Sequence, residues 1–192
     1  MPPKRRLQQH LHPMPPLNRM SPRHPAIIST AEIEEPTAWS YPDSDEAHSL
    51  GAAFGRHFGL HRLGIHHERL PAGQRSSFPH AESSEDEFIY VIEGTPDVWL
   101  DGHLHRLKPG DGVGFAAGTG LAHAFLNNTD HDVRLLVVGD TSRADNKIYY
   151  AVNPERRAHR TDWWDDIPDR SLGPHDGLTD VRRAALAKLQ TG

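Results

Sequence analysis

An acidic cluster beside a lone histidine is the first stretch of the chain whose residue types could do chemistry. The segment FPHAESSEDEFIYVIEG, residues 78–94, places four carboxylates soon after His80, namely Glu82, Glu85, Asp86 and Glu87. Carboxylates this close together repel one another unless water or a cation offsets their charge. The segment is therefore either a solvated acidic turn or part of a cation site.

Short strands must position these residues. Between residues 60 and 140, strand-like runs such as RLGIHHERL, EFIYVIEG and PDVWLDGHLHRL alternate with turns that contain Gly, Asn or Asp. The DG pair predicts a tight hairpin, and KIYYAV is a plausible last strand. In contrast, the glycines of HSLGAAFG, residues 48–55, predict a loop. Strands at this spacing indicate an all-β sandwich or closed barrel.

Shifts in composition divide the chain further. Residues 1–25 hold seven prolines, five Lys or Arg and no acidic residue, whereas residues 26–53 are acidic and contain no Lys or Arg. LTDVRRAALAKLQ predicts a helix capped by Thr179 or Asp180. We predict four segments: a disordered basic tail over 1–25, an extension packed on the barrel over 26–57, the barrel over 58–152, and a C-terminal loop and short helix over 153–192.

Two parts of the strand region resemble the two conserved motifs of the cupin superfamily. The first motif, a glycine, His-x-His, a glutamate and a second glycine, corresponds to Gly73, His80, Glu82, Glu87 and Gly94. The second motif corresponds to Gly110, Asp111, Gly118, His123 and Asn127. The chain departs from the family where Glu82 replaces the second histidine and Ala116 replaces a turn proline. The resemblance implies a double-stranded β-helix, or jelly roll, with an N-terminal extension and a short C-terminal helix.

The resemblance also implies a metal site. Residues two apart on a strand share a face, so His80 and Glu82 point the same way, and Glu87 and His123 could meet them at one barrel mouth. We expect one divalent metal ion held by His80, Glu82, Glu87 and His123. Two imidazoles and two carboxylates leave Zn, Mn, Fe and Ni open. Glu85 would be the reserve ligand if the register slipped, and the alternative to a metal is a hydrogen-bonded polar pocket.

The function that the resemblance implies is chemistry on a small polar metabolite, a sugar or carboxylic acid, inside the barrel. The leading interpretation is a metal-dependent isomerase, lyase or dioxygenase, in which Glu82 is a general-base candidate and Arg75 holds an anionic group. The alternative is a metabolite- or sugar-binding module without turnover. Fold alone does not separate these classes.

Composition limits the partners. The net charge of -5 gives no basic field for nucleic acid, and no apolar stretch is long enough for a membrane span. The chain has no cysteine, and its N-terminus lacks the apolar core of a secretory signal, so we expect a cytoplasmic protein. Aromatic pairs at Trp39/Tyr41 and Trp163/Trp164 predict a homodimer, with packing inside the chain as the alternative.

Overall fold

The computed structural model describes residues 22–190, and its strands form two antiparallel sheets. The first sheet has the order β1-β2-β9-β4-β7, with β1 Leu50–Ala53, β2 Leu63–Leu70, β4 Glu87–Glu93, β7 Gly112–Phe115 and β9 Val133–Asp140. The second has the order β10-β3-β8-β5-β6, with β3 His80–Glu82, β5 Asp97–Leu100, β6 His103–Arg106, β8 His123–Leu126 and β10 Ile148–Tyr150. This two-sheet jelly roll confirms the predicted all-β fold.

The main core lies between the two sheets. Alternate residues of β4, such as Ile89 and Val91, point inward and are buried, while Phe88 and Tyr90 on the other face are exposed. The inward residues of both sheets form one apolar cluster, made of Leu70, Ile89, Val91, Val98, Phe115, Phe125, Val133 and Leu135. Burying such side chains stabilises the fold by about 1.5–3 kcal/mol each.

The hairpin of β5 and β6 turns at the predicted DG pair. Leu100 faces His103 in the register, so Asp101 and Gly102 form a two-residue loop. Both have positive φ, 45° and 86°, which is the backbone conformation of a type I′ turn. The Asp101 side chain also accepts a hydrogen bond from the backbone N–H of Ala122 (3.0 Å) and therefore ties the turn to the start of β8.

The N-terminal extension contributes a strand to the first sheet. It contains two short helices, α1 (Thr30–Ile33) and α2 (Phe54–His57), with β1 between them. The loop predicted over 48–55 is wrong here, because β1 pairs with β2 from Leu50 opposite Arg69 to Ala53 opposite His66. An edge strand is held by its backbone hydrogen bonds to one neighbour. Small residues such as those of β1 can therefore form a strand although their sequence does not alternate between apolar and polar residues.

The C-terminal segment covers the outer face of the second sheet. After a 3-10 helix over Pro154–His159, Trp164 packs in a second cluster with Trp99, Ala81 and Leu126. The helix α3 spans Asp180–Leu189, and the Thr179 side chain accepts a hydrogen bond from the Arg182 N–H at 3.3 Å. The predicted capped helix is thus confirmed, and Trp164 anchors the preceding loop on the sheet.

Two expectations concern the tail and a membrane span, and the structure can address them only over the residues it describes. Most of the predicted disordered tail, residues 1–21, lies outside them. Within residues 22–190, no helix is both long and apolar enough to cross a membrane.

Candidate metal and ligand site

A cavity of about 240 Å³ opens between the two sheets at one end of the core. Its floor is apolar, with Ile89 and Phe125 among its residues, and its walls are polar and aromatic. The polar residues that line it are Glu68, Ser76, Ser77, His80, Glu87 and His123, and the large aromatic residues at its wall are Trp39, Tyr41 and Tyr150. The structure therefore brings three of the four predicted metal ligands to one cavity.

His123 and Glu87 form the closest pair among these ligands. His123 begins β8 and Glu87 begins β4, and the His123 Nε2 lies 2.8 Å from the Glu87 Oε2. The His123 Nδ1 faces the Leu121 carbonyl at 3.3 Å, and the Phe115 ring stacks on the imidazole. Burial acts to raise the pKa of Glu87, but the hydrogen bond from His123 and the nearby imidazoles outweigh it, so that pKa is lowered.

His80 stands beside this pair. It is directly opposite His123 in the register of β3 and β8, and the two ring centres are 4.9 Å apart. The His80 Nδ1 lies 2.9 Å from the carbonyl of Phe78, an acceptor, which assigns the proton to Nδ1 and the lone pair to Nε2. Burial, followed by the charge of His123, lowers the pKa of His80 to about 4. His80 is therefore neutral near pH 7, as a metal ligand must be.

Glu82 lies on the same face of β3 as His80 but lines a neighbouring, smaller hollow. That hollow is shared with Glu85, Glu87 and His123. Burial raises the pKa of Glu82 to about 7, and the nearby Glu87 and Glu85 carboxylates add to the shift. The fourth predicted ligand thus shares a hollow with Glu87 and His123 but does not line the main cavity.

The two other acidic residues of the cluster bind the backbone of neighbouring turns. Asp86 accepts a hydrogen bond from the N–H of Ala117 at 2.8 Å, and Glu85 accepts one from the N–H of Arg143. These bonds tie the segment before β4 to the turns that follow β7 and β9. The acidic cluster of the sequence therefore divides into turn carboxylates and cavity carboxylates.

Arg75 does not line the cavity. Its guanidinium is buried and donates two hydrogen bonds to Glu46, at 2.7 and 2.8 Å, and one to the Gly177 carbonyl at 2.8 Å. These bonds join the barrel to the N-terminal extension and the C-terminal segment. The predicted role of Arg75 in holding an anionic substrate finds no support in this placement.

Glu68 is the cavity residue that sequence reasoning missed. It lies on β2, and its Oε2 accepts a hydrogen bond from the Ser49 hydroxyl at 2.9 Å. Burial raises the pKa of Glu68 to about 7, against the lowering effect of Ser49. A signal was available, because Glu68 stands two residues before Leu70, which is buried in the core, and therefore shares its inward face.

The donor types fit a first-row divalent metal. Two imidazoles and a carboxylate match the preferences of such ions, and the carbonyls that face both Nδ1 atoms fix the rings as outer partners do. To bind the ion, the His123 Nε2 would exchange its hydrogen bond with Glu87 for the metal. Yet within residues 22–190 no three His, Asp or Glu side chains already surround one point at metal-binding distances. The four-residue ligand set therefore stays a prediction, one that requires side-chain movement on binding.

Comparison with known proteins agrees with the fold. A family model described as a cupin domain matches residues 66–139. A sugar phosphate isomerase from a cupin superfamily of Silicibacter pomeroyi is 31% identical, with a TM-score of 0.59, over 65% of this chain and 80% of that one. A putative sugar phosphate isomerase from Acidithiobacillus ferrooxidans is 23% identical, with a TM-score of 0.53, over 66% of this chain and 81% of that one.

A more distant structure shares the fold alone. The polyketide cyclase RemF from Streptomyces resistomycificus is 17% identical, with a TM-score of 0.53, over 75% of this chain and 96% of that one. The comparison with curated proteins finds no match. The two sheets, the cavity between them, the matched domain and the 31% identity over most of a cupin structure lead to one conclusion: the chain belongs to the cupin superfamily.

Proposed function

We propose that the protein is a metal-binding cupin enzyme that acts on a small polar metabolite, a sugar or carboxylic acid, by isomerase, lyase or oxygenase chemistry. The observation that carries the proposal is the pair His80 and His123, adjacent in the register, each with its Nδ1 turned to a backbone carbonyl. Glu87 lies within hydrogen-bonding distance of one of them, inside a cavity of ligand size.

Each residue has a part in this proposal. His80, Glu87 and His123 would hold the ion, with Glu82 as the fourth ligand after a side-chain movement. When bound, a divalent ion would act as a Lewis acid that polarises an oxygen of the substrate. Where Glu82 is not a ligand, its carboxylate is the general-base candidate. The aromatic residues would exclude water from the substrate.

Isomerase chemistry has the strongest support among the reaction classes. The Silicibacter protein, 31% identical, is described as a sugar phosphate isomerase. Identity at that level over most of a cupin chain supports a shared reaction type without fixing the substrate, because one fold hosts sites for many substrates. We therefore place isomerisation first, ahead of lyase and oxygenase chemistry.

The second candidate is a binding module without turnover. It is favoured by the arrangement of the donors, because among the described residues no three of them already surround one point. A hydrogen-bonded pair of His123 and Glu87 would then be part of a polar pocket for a metabolite.

Elemental analysis of purified protein tests the metal. We expect close to one first-row divalent metal per chain in the parent. His80→Ala and His123→Ala should each lose most of it, since each removes an imidazole ligand, and Glu87→Ala should weaken binding. Glu82→His should retain the metal, because it restores the ligand type more common in the family. Glu85→Ala is the matched control and should retain it too, since the Glu85 carboxylate binds a backbone N–H of a turn.

Two outcomes contradict this assignment. One is a parent that stays without metal after incubation with zinc, manganese, nickel and iron. The other is loss of metal from Glu85→Ala with retention in Glu87→Ala. Turnover of a metabolite panel by the metal-loaded parent then separates the enzyme from the binding module, which would bind a metabolite and release it unchanged.

A further inference from the structure

The charged side chains in the described lining of the cavity include carboxylates but no ammonium or guanidinium group. Glu68 and Glu87 line it, together with the hydroxyl groups of Ser76 and Ser77, and none of the described residues in its lining is lysine or arginine. A buried anionic group of a ligand needs a cation or several N–H donors to replace its lost hydration. Apart from the imidazoles of His80 and His123, which the proposed function assigns to the metal, the polar groups of this lining are hydroxyl groups and carboxylates, which suit a ligand that donates hydrogen bonds.

Two arginines contact the tyrosines of the aromatic wall, and both form ion pairs with carboxylates. Arg156 donates to Asp43 at 3.0 Å and lies over the Tyr41 ring, 4.1 Å from its centre. Arg160 forms two hydrogen bonds with Asp162 and a third with the Tyr150 hydroxyl. Each guanidinium is thus paired with a carboxylate and lies against a tyrosine that lines the cavity. The Arg156 Nε is buried without a hydrogen-bond partner, but neither arginine lines the cavity, so neither offers its charge to a ligand there.

Glu68 is held so that one of its oxygens is available. The Ser49 hydroxyl donates to the Glu68 Oε2 at 2.9 Å, and the Trp39 Nε1 donates to that same hydroxyl oxygen at 3.2 Å. Within residues 22–190, no hydrogen bond reaches the Glu68 Oε1, and the side chain lines the cavity. An anchored carboxylate with one free oxygen is a ready acceptor for ligand hydroxyl groups.

The aromatic wall completes the site. Trp39 and Tyr41 come from the N-terminal extension, and Tyr150 comes from β10, so they surround the mouth from two segments. Aromatic faces contact the C–H surface of a sugar ring while polar side chains bind its hydroxyl groups, the usual division of labour in a ligand pocket. A volume of about 240 Å³ is many times the roughly 10–15 Å³ that one water molecule needs, which leaves room for a small ligand.

We propose that the cavity selects an uncharged polyhydroxylated ligand, a free sugar or polyol, over its phosphate ester, and that Glu68 is the residue that sets this preference. The inference rests on the proposed function and narrows its substrate class. The free Glu68 Oε1 would accept a hydrogen bond from a hydroxyl group of a neutral ligand, and the charge of the carboxylate would repel a phosphate. The substrate would therefore differ in charge from that of a sugar phosphate isomerase.

Calorimetric titration with matched pairs of ligands tests the preference. The pairs are glucose with glucose 6-phosphate and ribose with ribose 5-phosphate, each titrated at pH 8 into the full chain with its metal and again after chelation. We expect at least one neutral sugar to bind, with an affinity about 10-fold or more above that of its phosphate ester. Tighter binding of the phosphate esters, or binding of neither member of any pair, overturns the inference.

Variants assign the preference to Glu68. Glu68→Gln keeps the hydrogen bond from Ser49 and removes the charge. It should weaken binding of the neutral sugar by about 10-fold and bring the affinities for the sugar and its phosphate ester closer together. Ser49→Ala keeps the charge of Glu68 but removes the hydrogen bond that holds its carboxylate. It should weaken binding of the neutral sugar and leave binding of the phosphate ester unchanged. Glu93→Gln, an exposed carboxylate on β4, is the control and should change neither affinity. A Glu68→Gln variant with the parent's ratio of affinities overturns the role of Glu68.

The outcome is separable from that of the proposed function. Metal content and conversion of each sugar are measured on the same samples. A parent that carries metal and converts the phosphate esters supports the proposed function and refutes this inference. A parent without metal that still prefers the neutral sugars refutes the enzyme and retains the ligand class.

Discussion

His48, a buried histidine outside the candidate site, makes the stability of the fold depend on pH. Its ring stacks on Trp39, with centres 4.5 Å apart, its Nδ1 faces the Arg75 carbonyl at 3.1 Å, and its Nε2 is buried without a partner. Burial lowers the pKa of His48, although the nearby Glu46 acts to raise it. As the pH falls, the unfolded state therefore binds a proton at this histidine near pH 6.5, whereas the folded state binds it only at a lower pH.

The sign of the effect follows from this difference. The stabilisation is present above pH 6.5 and is lost as the pH falls below it, because the unfolded state then binds more protons. We predict that His48→Asn, which keeps a donor for the Arg75 carbonyl, flattens the decline in the free energy of unfolding between pH 7 and 5. The single group contributes at most about 1.4 kcal/mol per pH unit. Urea unfolding at several pH values measures it.

The control for this prediction is His131→Asn, because the His131 side chain is 84% exposed. It should leave the pH dependence of the parent unchanged. A His48→Asn variant whose stability falls as steeply as that of the parent would contradict the prediction.

At the scale of single residues, the sequence indicated the strand-borne part of the site better than the rest. Alternation and the cupin motifs placed His80, Glu87 and His123 in one region, and the structure puts all three at one cavity. Glu68 and Trp39 were missed because they reach the cavity through long-range pairing of β2 and packing of the extension. Alternation with Leu70 indicates the inward face of Glu68, but which residues it meets depends on which strands become neighbours.

Among the elements, the β5–β6 hairpin has the strictest requirement for a glycine, at Gly102. A Cβ at Gly102 would collide with the backbone of Gly173, and the position has φ of 86°. We predict that Gly102→Ala costs about 1–2 kcal/mol for the left-handed backbone and a further ~1–3 kcal/mol for the collision. Urea unfolding at pH 7 measures the loss.

Gly110→Ala is the matched control for the hairpin. Gly110 also has a positive φ, 96°, but its added Cβ would meet nothing within 4 Å. It should therefore lose only the backbone contribution. Equal losses in the two variants would show that the contact between the turn and Gly173 does not constrain the hairpin.

The elements also show where local prediction stops. The DG turn and the capped helix α3 were predicted because a few neighbouring residues specify each of them. Strand β1 was not, because LGAA has little strand character of its own and is held by β2. An element of this kind exists only through its partner, so its sequence carries little information about it.

On the scale of the whole molecule, the homodimer stays a prediction, but its expected surface changes. Trp164 is buried within its own chain, and Tyr41 stacks on Phe78 beside the cavity, with ring centres 4.4 Å apart. The outer face of β4 is the better candidate, because Phe88, Tyr90 and Ile92 are each at least 40% exposed there. A two-fold dimer would pair this face with itself.

Sedimentation at micromolar concentration tests the dimer. We expect the parent to sediment at twice the 21.5 kDa mass of one chain. Phe88→Asp should shift the protein toward the mass of a single chain. Leu104→Asp, at an exposed residue of β6 in the other sheet, should leave the dimer intact. A parent that sediments only as a single chain would rule the dimer out.

The bonds of Arg75 bear on the order in which the protein matures during synthesis. Its guanidinium is buried between Glu46, which precedes it in the chain, and the carbonyl of Gly177, which follows it by 102 residues. The last strand of the barrel ends at Tyr150, so Gly177 follows the complete set of strands by 27 residues, and a ribosome adding about 5–20 residues per second needs roughly 1–5 s to cover that interval. During this time the nascent barrel holds a cation with only part of its final set of bonds. The last step of maturation therefore waits for the C-terminal segment to emerge and close over Arg75.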